Sequence, residues 1–355
     1  MPSGSTIDAP LVTVVVVASS RPAMLGACLA SLAAQTQACF EVIVVLLDAA
    51  ARVRELAEQA AARDDRVRLA DANGITPSEA RNAGIDAARA DLFYFVDEDV
   101  EVPPSGIAEL IEAFAEHPDA AVVGGPNLTP PDDPPFAQLA GEVLASRWGT
   151  GVTRARYASL RARPACERHL ILCNLAVRRK VFDRGLRFPV LFGGEENILL
   201  GHADRHGHLC WYVPSLWVHH RRRATLGGYI EQVHRYGRGR AQALVHAPKT
   251  FHVAYLVPVA WLSYLLALPL LVPFGAWAWL PLGAYALGIG GASLRAAIAR
   301  RRPAWLLGLP ALFALTHLVY AAGLVAGLLA ELVRAVAGRR RPTAQARRVE
   351  HQARG

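Results

Sequence analysis

The sequence has few cysteines, and the five present (Cys28, Cys39, Cys166, Cys173 and Cys210) are odd in number and form no Cys-x-x-Cys pair. That pattern argues against a disulfide framework or a thiolate zinc site and fits a reducing compartment. No basic residue precedes the apolar run from Leu11 to Ala18, and the run is too short to span a bilayer, so it makes a poor signal peptide. The chain up to about His246 therefore reads as a cytoplasmic domain. A nucleic-acid-binding module is missing as well, although the formal net charge is +8. The charge comes mainly from the arginine clusters at 221–223, 235–240, 300–302 and 339–341. Several flank apolar segments, so membrane lipids with anionic headgroups are the expected partner and nucleic acid is not.

Hydrophobic residues make up 53% of the chain but are unevenly spread. From Phe251 to about Val336 the sequence is dominated by Leu, Ala, Val, Trp, Pro and Gly. The stretches Phe251 to Phe274 and Trp277 to Ala299 are each long enough for one membrane helix. Trp261, Trp277, Trp279 and Trp305 include interfacial anchors. A third stretch, Ala304 to Val336, is long for one span and awkward for two; it contains Pro310, His317 and a Gly323-x-x-x-Gly327 close-packing pattern. Three full spans would put the basic tail outside, and a re-entrant or interfacial third segment would keep it inside, so two to three helices are expected.

The soluble part alternates strands and helices. Leu11 to Ala18, Phe40 to Leu47, Val67 to Ala70 and Leu92 to Val96 read as buried strands. Between them lie helical stretches at Met24 to Ala34, Ala51 to Arg63 and Pro77 to Ala88, the last opened by Thr76 and Glu79 at capping-box spacing. The alternation predicts an α/β fold with a mostly parallel sheet. The fourth strand stops at Asp97, Glu98 and Asp99, at the carboxyl edge where such sheets bind ligands. In an extended backbone Asp97 and Asp99 would point the same way and suit a hard divalent ion that bridges phosphate oxygens. The segment from Gly124 to Pro135 carries loop signals throughout and reads as a connector or an acceptor-side flap.

The series Val12-Thr-Val-Val-Val-Val17, Phe40-Glu-Val-Ile-Val-Val45, Ser78-Glu-Ala-Arg-Asn-Ala-Gly-Ile85 and Phe95-Val-Asp-Glu-Asp99 resembles family 2 glycosyltransferases over about Leu11 to Arg240. The resemblance implies the GT-A (Rossmann-like) fold, a nucleotide-diphosphate sugar donor and a Mg²⁺ or Mn²⁺ ion. It places Ser19, Ser20, Arg21, Asp48 and Arg81 at the nucleoside, Asp97 near the ribose and Asp99 on the metal. Where the family usually carries paired acids after the second strand, this chain has Leu46 and Leu47. The segment Asn174-Leu-Ala-Val-Arg-Arg179 is similar to one that leads to the family's acceptor site. The pair Glu195-Glu196 matches the family's Glu-Asp, which implies Glu196 as general base with Glu195 as the alternative, brought to the cleft by Gly193 and Gly194. Downstream, His219 or His220 is a candidate further metal ligand. Arg221 and Arg223 are candidates for neutralising a diphosphate. Gln232-Val-His-Arg235-Tyr236 is similar to the Gln-x-x-Arg-Trp signature of membrane polysaccharide synthases, with Tyr for Trp, and lies on a basic amphipathic stretch able to rest on lipid.

The expected organisation is a tail (1–10), a GT-A catalytic domain (11–220), a basic amphipathic segment (221–250), a membrane region (251–336) and a basic tail (337–355). The expected function is inverting transfer, at the inner membrane and facing the cytoplasm, to a polyprenyl-linked or other lipid-borne glycan acceptor. A processive polysaccharide synthase and a non-catalytic membrane scaffold remain as alternatives.

Overall fold

The computed structural model describes residues 9–74, 76–183, 185–190 and 194–339. The first half alternates β1 (Val12–Ala18), α1 (Pro22–Ala33), β2 (Phe40–Leu47), α2 (Ala51–Arg63), β3 (Val67–Ala72), α3 (Pro77–Ala87) and β4 (Leu92–Asp97). The second continues through β5 (Val100–Glu101), α4 (Gly106–Glu116), β6 (Ala120–Gly124), β7 (Asn127–Leu128), α5 (Pro135–Ala145), α6 (Arg147–Thr150), β8 (Arg163–Ala165), β9 (Leu175–Arg178), α7 (Glu195–Arg205), β10 (Leu209–Tyr212), β11 (Val218–His220) and α8 (Leu226–His246). Three apolar helices end the described chain: α9 (Val257–Leu271), α10 (Leu280–Arg300) and α11 (Trp305–Arg339).

The main sheet has the order β3-β2-β1-β4-β9-β6-β10-β8, and a small sheet has the order β5-β11-β7. β1 pairs in parallel with β2 and β4, β2 with β3, and β6 with β10, whereas β9 runs antiparallel between β4 and β6. β1 and β2 are covered on both faces, which is why, apart from the mutually hydrogen-bonded Thr13 and Glu41, their sequences are apolar without alternation. Val14, Val16 and Val44 pack on the α1 and α4 side, and Val15, Ile43, Phe93 and Phe95 on the other. There Phe182 and Phe188 meet Phe93 and Phe95 edge-on at 5.3 and 4.9 Å. Gly84 lets α3 approach the sheet, since a Cβ there would come within 2.5 Å of Val15. Pro22 opens α1, and the Thr76–Glu79 capping box forms as the sequence predicts.

Two expectations change. The segment from Gly124 to Pro135 is not a free flap. Asn127 and Leu128 form β7, which pairs with β11, and Asp133 is buried, accepting from Arg221 and from the Arg222 backbone. Nor does the face of α8 bearing Tyr229 and Val233 lie open to lipid. It packs with Ile289, Leu309, Leu312 and Phe313 of the apolar helices.

Three helical segments, Val253–Phe274, Ala276–Arg300 and Trp305–Ala337, are long and apolar enough to cross a membrane. Their burial differs: 6% of the apolar window is enclosed in the first, 22% in the second and 39% in the third. The third is enclosed because α8 lies along it. A Cβ on Gly323 would meet the His234 carbonyl oxygen at 2.2 Å, one on Gly237 would meet that of Tyr320 at 2.4 Å, and one on Gly327 would meet the Arg238 Cα at 3.0 Å. The Gly323-x-x-x-Gly327 pattern thus packs α11 against α8 rather than against another apolar helix. Tyr229 and Thr316 share a 2.8 Å hydrogen bond near one end of this contact, and Gln242 donates to Glu331 at 3.3 Å near the other.

Candidate active site

Parallel strands β1, β2 and β4 deliver three loops to one edge of the sheet. After β1, the Ser19 amide donates to Glu98 Oε2 at 3.0 Å, and Arg21 Nε donates to Glu98 Oε1 at 2.9 Å. The second arm of Arg21 pairs with Asp99. After β2, Asp48 adopts a left-handed backbone (φ 44°) and accepts from the Gly74 amide at 2.9 Å, so its carboxylate holds the loop before α3. Leu46 and Leu47, where the family usually places acids, are buried strand residues.

β4 ends at Asp97, and Glu98 and Asp99 form a turn, so the extended spacing expected to converge Asp97 and Asp99 does not hold. The two acids take different partners. Asp97 Oδ1 accepts from Arg81 at 3.0 Å; Asp99 faces Arg21 and His220. The other arm of Arg81 reaches Glu195 Oε1 at 2.7 Å, which links the acids after β4 to the start of α7.

Asp99 is buried. Burial alone would raise its pKa, but the cations of His220 and Arg21 outweigh it and hold the carboxyl well below the usual carboxylate range. His220 shows the reverse: burial would lower its pKa, and Asp99 pushes it up to about 10. His220 Nε2 lies 3.2 Å from Asp99 Oδ1, a long contact, and no other described residue donates to this buried oxygen.

α7 is entered through Gly194, whose φ of 74° lies in the left-handed region; Gly193 lies outside the described residues. Both glutamates are buried. Burial, with Glu196 adding to it, raises the Glu195 pKa despite Arg81. Glu196 Oε1 accepts from Arg156 at 3.2 Å and from Asn197 Nδ2 at 3.2 Å.

The structure separates the remaining candidates. His220, not His219, meets Asp99: neighbouring strand residues point to opposite sides, and the His219 ring lies 4.9 Å from that of Trp217. Asn174 is enclosed, accepting from Tyr94 at 2.8 Å and donating to the Pro126 and Leu216 carbonyls, so it pins loops to β4. Arg221 is engaged by Glu101 at 2.8 Å and by Asp132 at 2.8 Å. Arg223 is half-buried near Gly228, and Ser20 is exposed. On α8, Gln232 is buried and Arg235 exposed, while burial pushes the Tyr236 phenol upward. Residues the sequence did not single out as site residues are Glu98, Arg156, Asn197 and Arg240. Glu98, inside the acidic triplet, and Arg240, closing the 235–240 arginine cluster, carried a signal.

Acids at the carboxyl edge of a mostly parallel α/β sheet, joined through Arg81 to an acid pair on a helix, stand where open sheets of this type place their ligand sites. Residues 13–186 match the family model "Glycosyl transferase family 2". This segment is a family 2 glycosyltransferase domain. The chain is 38% identical over 116 residues to the "Uncharacterized glycosyltransferase EpsJ" of Bacillus subtilis (strain 168), covering 32% of this chain and 33% of that protein. It is 26% identical over 116 residues to that organism's "Putative glycosyltransferase EpsH", covering 33% and 34%. The matched regions thus span about a third of each relative's length. The mannosyltransferase PcManGT from Pyrobaculum calidifontis, solved with GDP-Man and Mn²⁺, superposes with a TM-score of 0.62 at 18% identity, covering 90% of this chain and 87% of that one. The likeness establishes the GT-A fold.

Proposed function

We propose that the protein is a metal-dependent, inverting glycosyltransferase that moves a sugar from a nucleotide-diphosphate sugar to an acceptor held at the membrane. The observation that carries this reading is the Asp97–Arg81–Glu195 bridge. It holds Asp97, the acid expected on the donor side, and Glu195, the neighbour of the expected base, at hydrogen-bond distance from one guanidinium.

Among the described residues no three or more His, Cys, Asp or Glu side chains cluster around one point. Two do: the buried Asp99 Oδ1 and His220 Nε2, and the pair would suit a divalent cation provided His220 gives up the proton that Asp99 favours in its absence. Asp99 and His220 are therefore the residues that would hold Mg²⁺ or Mn²⁺. Such an ion, when bound, supplies Lewis-acid stabilisation of the departing diphosphate. PcManGT, solved with GDP-Man and Mn²⁺, supports this through its fold. Arg21, freed from Asp99, would remain on Glu98 and close the nucleoside side. Arg81 would hold Asp97 toward the ribose. Glu196 would take the proton of the acceptor hydroxyl as it attacks the anomeric carbon opposite the leaving group, a single displacement that inverts the centre.

The apolar helices support a membrane-borne acceptor and attachment at the inner membrane. α9 begins at the catalytic domain, where Tyr255 reaches Glu167, and α10 returns to it, where Arg300 pairs with Glu142 at 3.1 Å. α11 touches the same domain near both ends, through Leu309 beside Ala140 and Glu331 beside His246. This favours two crossings plus a third helix lying along the domain at the membrane face, with the basic tail on the cytoplasmic side. A thermal-shift screen of nucleotide sugars with Mn²⁺ or Mg²⁺ tests the donor assignment. Stabilisation by one nucleotide series supports it, and indifference to every nucleotide sugar favours the scaffold alternative.

A further inference from the structure

Arg156 and Arg240 are 7% and 5% exposed, and both donate to a single neutral atom, Asn197 Oδ1, at 2.6 and 3.2 Å. Two guanidinium groups converging on one amide oxygen repel each other, and burial removes the water that would screen them. The acids nearby only partly offset this. Glu196 contacts Arg156 at 3.2 Å, and the Glu167 carboxylate accepts from Tyr255 at 3.4 Å. Arg240 has no carboxylate partner among the described residues; its neighbours are neutral, the Tyr320 phenol and the Tyr255 ring at 4.0 Å. Arg156 Nε and Arg240 NH1 are buried donors without a hydrogen-bond partner. Across the Tyr157 ring, whose centre is 5.4 Å from Arg222, a third buried guanidinium also has an undonated nitrogen, NH1. Leaving such donors unpaired is costly, so an arrangement of this kind points to an anionic ligand.

We infer that Arg156 and Arg240, flanked by Arg222, bind a phosphate group on the lipid-borne acceptor, an inference that rests on the transferase reading above. Several unpaired guanidinium donors suit phosphate, which presents three peripheral oxygens. The place selects the acceptor over the donor. The donor-side acids are held by Arg21, Arg81 and His220, whereas Arg156 touches Glu196, the residue that would activate the acceptor. The place also selects a lipid. Arg240 sits on α8, Tyr255 stands at the entrance of the first apolar segment, and Tyr320 of α11 neighbours Arg240. A phosphate here would lie where its chain could run directly into the bilayer.

The test uses the full chain in detergent, with binding followed by thermal shift or titration. The probes are dodecyl phosphate, dodecanol, inorganic pyrophosphate, and uridine and guanosine diphosphates with Mn²⁺. Dodecyl phosphate should bind and stabilise, and dodecanol should not. Arg240→Gln should weaken dodecyl phosphate about ten- to a hundred-fold, the usual scale for a lost charged hydrogen bond. Nucleoside diphosphate binding should be unchanged in that variant, and Arg240→Lys should recover part of the loss. Equal stabilisation by dodecanol would overturn the inference. So would pyrophosphate matching dodecyl phosphate, which would assign the site to free phosphate, or equal loss of nucleoside diphosphate in Arg240→Gln, which would assign it to the donor. Should Arg240→Gln fail to fold, the wild-type comparison of dodecyl phosphate with dodecanol decides alone. Absence of nucleoside diphosphate binding in the wild type would sink the transferase reading and leave the dodecyl phosphate result standing separately.

Discussion

Glu195 and Glu196 are adjacent in sequence yet held by different arginines, and the proposed mechanism gives them different roles. Glu195 answers to Arg81, which also holds the proposed donor-side Asp97, and Glu196 answers to Arg156, which the proposal places at the acceptor. Glu196→Gln keeps the shape and removes the proton acceptor, so donor binding should survive while turnover falls by roughly two to four orders of magnitude. Glu195→Gln should cost less in turnover and more in donor affinity, because it loosens Arg81. A near-dead Glu195→Gln beside an active Glu196→Gln would exchange the roles. A second residue-scale expectation concerns pH. Burial and nearby arginines lower the His169 pKa to about 4, and the ring accepts from the Cys166 amide at 3.2 Å. A depressed histidine stabilises the fold while neutral, so its contribution is present above pH 6.5 and is lost between pH 6.5 and about 4. Thermal unfolding of His169→Gln should show a shallower fall over that window than the wild type; identical slopes would remove His169 as a contributor. At this scale the sequence was legible where residues cluster in the chain, as with Asp97 to Asp99 and Glu195-Glu196. It was silent where a partner arrives alone from a distant segment, as Arg156 does, and strand alternation exchanged His219 for His220.

Among the elements, α8 joins the catalytic sheet to the apolar helices. Its sequence resembles a surface stripe because one face is basic and the other apolar, a pattern that lipid and a partner helix satisfy equally. Periodicity shows that a face is buried, not what buries it. The glycines of α11 discriminate, and they do so by contacts that only the fold reveals. Gly323→Leu would drive a side chain into the His234 backbone, which has no rotamer with which to yield. Overpacking of this kind costs about 1–3 kcal/mol. A Cβ at Gly290 on α10 meets nothing within 4 Å, so Gly290→Leu serves as the control. A lower unfolding temperature for Gly323→Leu alone is the expected outcome, and equal effects of the two would deny that α8 and α11 pack through these glycines. The segment from Gly124 to Pro135 teaches a related lesson. Turn-forming residues conceal a two-residue strand, because β7 is specified by its pairing with β11 rather than by local propensity.

For the whole molecule, the strand–helix alternation up to β4 is legible because β1, β2 and β4 are apolar over most of their length, while β3 is a half-exposed edge strand. β9 and β8 are short and run antiparallel, so their positions depend on pairing across long loops. The lie of α11 is a property of the assembled protein. If it runs along the domain rather than across the bilayer, a cysteine at Val336, in a chain otherwise lacking reactive cysteines, should react with an impermeant maleimide in inverted vesicles and not in intact spheroplasts. Labelling only in spheroplasts would mean a third crossing. The central claim, however, is catalysis by the acids at the sheet edge. It is tested most directly by measuring nucleoside diphosphate release from nucleotide sugars by the purified full-length protein, with Mn²⁺ or with EDTA. The account predicts release that requires the ion and disappears in Asp99→Asn, while Glu196→Gln binds the donor without turning it over. Full, EDTA-sensitive release by Asp99→Asn, or none from any nucleotide sugar by the wild type, would contradict it.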